Sequence, residues 1–263
     1  MLELKKIGLL LRDEEQEYPL EEIHKVFAGR GIDLILLDQM VAIPDDVNLV
    51  MAMGGDGTAL HALDRFPHCP VLAINFGKIG FLTAADRKDL EHIATLLVQG
   101  EFLVSERLVL DCEFPGGARR VINEVIVRTY NRLVFTDVFV GDAKIRTIRA
   151  DGVVVGTPTG STAHLLAMGA PIVMPDVRCM ILDGINEYNL TSRALILPPE
   201  SHICLHISPE TRDPHVYLTI DGRQVDSLSP GQDVHIRQAP HTAKLIYFEP
   251  NYFFHNLSSK LSW

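Results

Sequence analysis

The sequence predicts an α/β domain built on a parallel sheet, followed by a second domain that is mostly β. Through about residue 100, apolar runs of strand length alternate with amphipathic stretches of helical spacing, as in strands joined by helical crossovers. After that point helical periodicity nearly disappears, and short β-rich runs are separated by turn residues. We therefore predict an α/β domain at 1–100, a β-rich domain at 101–238, and a C-terminal tail at 239–263 that packs back on the first domain.

In the first domain, short apolar runs predict the strands, and apolar residues three or four apart predict the helices. The predicted elements are strands at Lys6–Leu11, Ile32–Leu37, Asn48–Met53 and Val71–Asn75, and helices at Pro19–Ala28, Ala59–Phe66 and Asp86–Gln99. Gly29 and Gly100 are placed to end the first and third helices, and Asp86 to cap the third. In a sheet of this kind ligands bind at the carboxyl ends of the strands.

In the rest of the chain, the strands are predicted from β-rich runs bounded by turn residues. These runs are Leu108–Phe114, Val121–Arg128, Leu133–Val140, Lys144–Arg149, Ser201–Ser208, Val216–Ile220, Asp233–Arg237 and Ala243–Phe248. Asp221 and Gly222 form a dipeptide typical of a hairpin turn.

The composition excludes several classes of protein. A chain of 263 residues with 47% hydrophobic residues can bury a full core, and its net charge of −10 with scattered basic residues argues against a nucleic-acid partner. No apolar run approaches a membrane span, and the first residues turn acidic too early for a signal peptide. Because the four cysteines lie far apart in sequence, no disulfide framework is indicated. We predict a cytoplasmic protein with no membrane partner.

The glycine-rich segment Gly54-Gly55-Asp56-Gly57-Thr58 lies between a predicted strand and a predicted helix. Its glycines let the backbone approach a phosphate at a helix N-terminus, although a tight turn alone also attracts glycine. An acidic residue in such a loop repels phosphate unless it binds a metal ion or accepts a proton from a hydroxyl. We therefore predict that Gly54, Gly55, Gly57 and Thr58 bind phosphate and that Asp56 is catalytic.

Two further segments carry polar residues suited to a nucleotide. Thr157–Ala163 offers backbone N–H groups and short hydroxyl side chains to a ribose, an adenine edge or a phosphate, but Ser161 or Thr162 could instead cap a helix through Met168. Asn123 and Glu124 can donate to and accept from two vicinal ribose hydroxyls, although a solvated strand edge explains the pair as well.

These segments together resemble the NAD kinase family. Gly54–Thr58 is similar to the loop shared by NAD kinases, diacylglycerol-type lipid kinases and, in a close variant, 6-phosphofructokinases. The other segments with family counterparts are Asn75-Phe76-Gly77-Lys78-Ile79-Gly80-Phe81-Leu82, Asn123-Glu124 and Asp151-Gly152-Val153-Val154-Val155-Gly156-Thr157-Pro158-Thr159-Gly160-Ser161-Thr162-Ala163. They occur in family order, and the last selects NAD kinases within the superfamily. Asp221-Gly222 also resembles a family position, which a hairpin turn explains equally well.

The resemblance implies a two-domain NAD kinase that transfers the terminal phosphoryl of ATP or polyphosphate, with Mg²⁺ or another divalent cation, to the 2′-hydroxyl of the adenosine ribose of NAD. It implies a homodimer or homotetramer. Asp56 meets the acceptor hydroxyl in this interpretation. The residues expected to bind NAD are Gly57, Asn123, Glu124, Asp151, Thr162, Ala163 and His164.

The chain departs from the family pattern after Ala163, where His164-Leu165-Leu166-Ala167 replaces the usual Tyr and polar residues. His164 could stack on adenine and make binding pH-sensitive, or could be a buried histidine with no role. Two rival functions stay open: a lipid or sugar kinase of the same superfamily, and a non-catalytic NAD(P)-binding regulator.

One pair of histidines lies outside these segments. His202 and His206 have a spacing that puts both on one face of a strand. Because no third ligand is evident in the sequence, we predict no metal site among the side chains.

Overall fold

The computed structural model describes residues 4–11, 18–37, 43–76, 80–189 and 191–262. The chain divides into two compact units, one formed by Met1–Glu106 with Ala243–Trp263 and the other by Arg107–Thr242. The first unit is mixed α/β and the second is rich in antiparallel β structure, which confirms the predicted fold class. Among the described residues, no helix is long and apolar enough to cross a membrane.

The strands and helices follow one another in the chain with the bounds given next. The elements up to residue 121 are β1 Lys6–Leu11, α1 Leu20–Ala28, β2 Asp33–Leu36, β3 Leu49–Met53, α2 Asp56–Arg65, β4 Val71–Asn75, β5 Ala85–Asp86, α3 Leu90–Gln99, β6 Leu103–Arg107, β7 Leu110–Phe114 and β8 Gly117–Val121. The remaining elements are β9 Glu124–Arg128, β10 Val134–Val140, β11 Ala143–Ala150, β12 Gly152–Gly156, α4 His164–Ala167, β13 Met180–Ile185, β14 Leu195–Leu197, β15 Ile203–Ile207, β16 Val216–Ile220, β17 Arg223–Leu228, β18 Asp233–Gln238, β19 Ala243–Tyr247 and α5 Tyr252–Leu261.

The sheet of the first unit has the strand order β2-β1-β3-β4-β19-β6, with β5 paired to β4. The pairs of β1 with β2, β1 with β3, and β3 with β4 are parallel, as predicted from the strand and helix alternation. The strands β3 and β4 are buried at every position, because parallel strands of this kind are covered on both faces. The order reverses at β1, and the carboxyl end of the neighbouring β3 leads directly into Gly54.

The second unit contains two antiparallel sheets with the strand orders β11-β10-β15-β18-β7-β8 and β14-β13-β12-β9-β16-β17. A hydrophobic cluster built from strands of both sheets forms its core, with residues such as Val125, Val153 and Leu205 fully buried. The opposite face of the second sheet is covered as well, where Ile126 and Val154 pack with Leu165. Burial on both faces explains why β12 reads as a continuous Gly-Val-Val-Val-Gly run rather than an alternating one.

Several element boundaries differ from the predicted ones. Helix α2 begins at Asp56, earlier than the predicted Ala59, because Asp56, Gly57 and Thr58 form its first turn. Asp86 caps a short 3₁₀ turn, Arg87–Asp89, by accepting the Lys88 N–H at 3.1 Å, and the α-helix proper starts at Leu90. The predicted strand Val121–Arg128 is interrupted, since β8 ends at Val121 and β9 begins at Glu124.

Candidate functional site

The glycine-rich segment forms the turn between β3 and α2, with Gly55 as the residue preceding the helix. The Gly54 N–H donates to the Ile74 carbonyl at 2.9 Å, so that donor is used by the sheet rather than offered to a ligand. Asp56 and Gly57 occupy the first helical turn, where backbone N–H groups lack intrahelical acceptors and favour an anion. A Cβ built on Gly55 or Gly57 meets no atom within 4 Å, so the open side of this turn has room for a ligand.

The Asp56 carboxylate is held by the backbone of a following loop. Its Oδ2 accepts the Phe81 N–H and its Oδ1 accepts the Leu82 N–H, each at 2.9 Å. A carboxylate offers about four lone-pair positions, so two N–H bonds fix its orientation and leave other positions for a hydroxyl or a cation. The position of Asp56 in the first turn of α2 adds favourable interaction with the helix dipole, typically about 0.3–1 kcal/mol.

Gly80 lies directly against this carboxylate. A Cβ built on Gly80 would fall inside 3.0 Å of Asp56 Oδ1 and at 2.6 Å from Asp56 Cγ, distances that real Cβ contacts essentially never show. Only glycine therefore lets the Asp56 side chain keep its position. Gly77, Lys78 and Ile79, which belong to the same family segment, lie outside the described residues.

The loop that holds Asp56 is itself fastened by the C-terminal part of the chain. Asn256 of α5 donates through Nδ2 to the carbonyls of Phe81 and Thr83, both at 3.1 Å, and the Tyr247 hydroxyl donates to the Leu82 carbonyl at 3.2 Å. Inside the loop, the Gly80 N–H donates to Thr83 Oγ1 at 3.0 Å. The C-terminal segment thus acts indirectly on the orientation of Asp56.

In the second unit, Asp221 fixes the start of β9. Its carboxylate accepts the Ile122 N–H at 2.9 Å, the Asn123 N–H at 2.7 Å and the Glu124 N–H at 3.2 Å. Asp221 and Gly222 have φ of 47° and 78° and form the turn between β16 and β17, as predicted. The hairpin turn is therefore present, and the same Asp221 carboxylate also orients the backbone of Asn123 and Glu124.

The segment Thr157–Ala163 packs directly on the same short stretch of backbone. The Thr157 N–H donates to the Asn123 carbonyl at 2.9 Å, and the Thr157 hydroxyl donates to the Ile122 carbonyl at 2.6 Å. A Cβ on Gly160 would lie 2.7 Å from Asn123 C, so glycine is needed for this close approach. The structure thus brings Asn123 and Glu124 next to the hydroxyl-rich turn.

The hydroxyl groups of Ser161 and Thr162 bond to backbone groups of this chain. Ser161 Oγ donates to the Pro158 carbonyl at 2.7 Å and accepts the Val173 N–H at 3.0 Å, while Thr162 Oγ1 donates to the Thr159 carbonyl at 3.2 Å. Neither residue caps a helix, because the N-cap of α4 is Ala163 and α4 spans only His164–Ala167. The alternative of a capped helix through Met168 is therefore wrong.

Glu124 is a buried carboxyl of the second unit whose pKa is strongly shifted from its ordinary value. It is 4% exposed and Asn123 is 8% exposed, so the alternative of a solvated strand edge is wrong for both residues. Burial and the negative charge of Asp221 raise the pKa of Glu124 to about 7, against a lowering contribution from the His164 backbone N–H. Its Oε2 is buried and has no hydrogen-bond partner among the described residues. Such an oxygen can accept a ligand hydroxyl.

His164 and Asp151 differ from the other residues expected to bind NAD. His164 is exposed, so the alternative of a buried histidine with no role is wrong, while the neighbouring Leu165 is fully buried in the core. Asp151 precedes β12 and accepts from Asn186 Nδ2 at 2.9 Å. In the register of β12 with β9, Glu124 lies opposite Gly156, so Asp151 is about 17 Å away along the strand. The structure of this chain therefore does not bring Asp151 to Glu124.

The raised pKa of Glu124 predicts a specific dependence of stability on pH. Because the folded-state pKa of about 7 exceeds the ordinary value of 4.5, the folded state retains a proton that the unfolded state has lost. This group therefore lowers the free energy of unfolding as pH rises from about 4.5 to about 7, by up to about 3 kcal/mol. Urea unfolding of Glu124→Gln should lack this decrease in the free energy of unfolding. The variant should therefore gain stability relative to the parent between pH 5 and pH 8.

Glu210→Gln is the matched control, since Glu210 is an exposed glutamate of the same unit. It should leave the pH dependence as it is in the parent chain. Equal pH profiles for the parent and Glu124→Gln would contradict the assignment of this titration to Glu124.

In the first unit a strand ends in a glycine turn at a helix N-terminus, next to an oriented carboxylate. Together with the β-rich second unit, this arrangement is that of a phosphoryl-transfer enzyme built from two structural units. Residues 24–102 match the ATP-NAD kinase N-terminal domain and residues 122–248 match the ATP-NAD kinase C-terminal domain. The NAD kinase of Syntrophotalea carbinolica is 31% identical, with 89% of this chain and 90% of the relative covered. That of Citrifermentans bemidjiense is 34% identical, with 84% and 80% covered.

Two solved structures share the fold. Yeast NADH kinase complexed with NADH superposes with a TM-score of 0.87 at 22% identity, covering 99% of this chain and 88% of that chain. An NAD kinase from Archaeoglobus fulgidus in complex with ATP gives a TM-score of 0.81 at 21% identity, covering 98% and 99%. This chain belongs to the NAD kinase family, as predicted from its sequence.

Three contributions to the site were not assigned a role from sequence. Gly80 was part of a recognised segment, but its contact with Asp56 depends on how the loop folds back. Asn256 supports that loop from far along the chain. Asp221 was interpreted as a turn residue, and its three backbone N–H donors lie about a hundred residues earlier. None of these three contacts could be inferred from the sequence, because the residues that meet lie far apart along the chain.

Proposed function

We propose that this chain phosphorylates the 2′-hydroxyl of the adenosine ribose of NAD, with ATP or polyphosphate as the phosphoryl donor. The observation that supports this most directly is the buried carboxyl of Glu124, with one unpartnered oxygen, fastened beside Asn123 and the hydroxyl-rich turn in a member of the NAD kinase family. An amide and a carboxylate side by side suit two vicinal ribose hydroxyls better than a lipid headgroup.

In this proposal the second unit binds NAD through the segments that pack around Asn123. Asn123 donates to and Glu124 accepts from ribose hydroxyls, while Thr162, Ala163 and His164 contact the nucleotide. The three N–H bonds to Asp221 hold this backbone before NAD arrives, which lowers the entropic cost of binding. Asp151 stays a predicted NAD contact from the family resemblance.

In the first unit, the backbone N–H groups at the start of α2 bind the phosphates of the donor, with Gly55 and Gly57 allowing close approach. Asp56 orients the acceptor hydroxyl and takes its proton as the phosphoryl bond forms. The two N–H bonds from Phe81 and Leu82 fix the carboxylate for this role without an adjustment during the reaction.

A divalent cation fits this arrangement. Mg²⁺ in phosphoryl-transfer enzymes is bound by one or two carboxylates with substrate phosphates and water, and Asp56 retains lone pairs beyond those given to Phe81 and Leu82. When bound, such an ion neutralises negative charge on the phosphoryl group. Mg²⁺, assembly as a homodimer or homotetramer, and a cytoplasmic location remain predictions from the resemblance.

The function is tested by incubating the purified chain with Mg²⁺ and either ATP or polyphosphate, together with NAD, NADH or diacylglycerol. We expect NADP to form with at least one donor, and we expect no phosphorylated lipid. Binding of NAD by calorimetry without NADP formation under any donor would instead support the non-catalytic regulator.

A further inference from the structure

Side chains with metal-binding atoms gather on one sheet of the second unit, away from the NAD segments. Strands β15 and β18 are antiparallel neighbours in which Cys204 lies opposite His235 and His206 lies opposite Asp233. Directly opposed residues project to the same face of a sheet, and residues two apart on a strand share that face. The register therefore places all four side chains on one face, while Leu205, Val234 and Ile236 point into the core.

The geometry of this group is compact. A ligand atom from each of Cys204, Asp233 and His235 lies within 4.8 Å of the other two, the one such group of three or more found among the described residues. His206 Nδ1 lies 2.6 Å from Asp233 Oδ1. The rings of His202 and His235 are 5.4 Å apart between centroids. The histidine pair noted in the sequence thus borders a group of possible ligands, two of which come from a strand about thirty residues later.

Other properties of the group favour a ligand over a merely solvated surface. These residues line an open recess. Nδ1 of His235 is buried and has no hydrogen-bond partner among the described residues. Asp137, which also lines the recess, is engaged by Lys144 at 2.8 Å and by the Thr147 hydroxyl at 2.5 Å. Its charge is therefore partly compensated, whereas the Cys204, Asp233 and His235 atoms converge on one another.

We propose that this face binds one zinc-type divalent ion through the Cys204 thiolate, the His235 imidazole and an Asp233 carboxylate oxygen. A thiolate, an imidazole and a carboxylate together match zinc and its neighbours rather than Mg²⁺ or Ca²⁺. Tetrahedral binding needs ligand atoms about 3.5 Å apart, which small side-chain rotations achieve from the present spacing. Binding releases the Cys204 thiol proton to solvent.

The remaining histidines complete the site in different ways. His206 holds Asp233 through its Nδ1 contact, the kind of supporting hydrogen bond that orients a metal-binding carboxylate. His202 or a water molecule supplies the fourth ligand. The ion then links β15 to β18, so its expected effect is on the stability of the second unit, and the site is independent of the phosphoryl-transfer residues.

The test uses the full chain purified without a histidine tag, stripped with a chelator and titrated with Co²⁺ and Zn²⁺. We expect about one ion bound per chain, and for Co²⁺ a thiolate charge-transfer band with the strong visible absorption of tetrahedral geometry. Cys204→Ser should abolish the charge-transfer band, and His235→Ala should weaken Zn²⁺ binding at least about tenfold. Zn²⁺ should also raise the melting temperature of the parent chain and not that of the double variant that combines Cys204→Ser with His235→Ala.

Cys69→Ser and His215→Ala serve as controls, because Cys69 is a partly exposed thiol of the other unit and His215 is an exposed histidine of the same unit. Both should bind Zn²⁺ and Co²⁺ as the parent does. The proposal is overturned if the parent binds neither ion, or if binding survives unchanged in Cys204→Ser and His235→Ala, since scattered histidines would then be responsible.

Discussion

Replacing Asp56 with Asn is expected to lower the rate of NADP formation about 10²-fold or more. The asparagine cannot accept a proton from the acceptor hydroxyl and is a poor ligand for a divalent cation. It also offers one acceptor oxygen where the carboxylate offers two, and its NH₂ group would face a backbone N–H of Phe81 or Leu82. The measurement is the steady-state rate of NADP formation at saturating ATP and NAD.

Asp64→Asn is the matched control, because Asp64 is an exposed aspartate on the same helix. It should retain the parent rate. Circular dichroism and NAD binding by calorimetry should show that Asp56→Asn is folded and still binds its acceptor. A rate for Asp56→Asn equal to that of Asp64→Asn would remove Asp56 from the proposed chemistry.

Replacing Gly80 with Ala is expected to lower kcat by about 10²-fold, although residue 80 has no chemical role. The new Cβ would overlap Asp56 Oδ1, so the carboxylate must rotate away from the Phe81 and Leu82 N–H groups. A displacement of about 1 Å in a reacting group can cost about 10²-fold in rate. Gly29→Ala is the control, since its Cβ meets only the Lys25 carbonyl, at 3.3 Å, and the Val26 carbonyl, at 3.8 Å.

A double variant separates this mechanism from general destabilisation. If Gly80→Ala acts only through the position of Asp56, adding it to Asp56→Ala should lower the residual rate no further. Additive losses in the double variant would show that Gly80 matters for another reason, such as the fold of the loop. The melting temperature of each single variant shows how much stability the substitution removes.

The local sequence pattern was enough to predict most of the strands and helices of the first unit. The strands Lys6–Leu11 and Val71–Asn75 were predicted with their observed bounds, because a buried parallel strand is a nearly continuous apolar run. The start of α2 was placed too late, since Asp56 and Gly57 read as loop residues and have low helix propensity. In the second unit, β12 and β13 were not predicted as strands. The β12 residues were interpreted only as part of the Asp151–Ala163 segment, and the apolar run from Met180 was not assigned to an element.

The family was determined by the sequence alone, because contiguous residues carry the motifs that identify it. Asp56 with its glycines and Thr157–Ala163 with its hydroxyls are local chemical patterns that need no fold to be recognised. What only the tertiary structure decided are contacts between distant positions: Gly80 against Asp56, Asp221 beneath Asn123, and His235 beside Cys204. These contacts depend on how a loop folds back and on the register of the strands. Burial over a whole unit sets both, and no local sequence pattern indicates them.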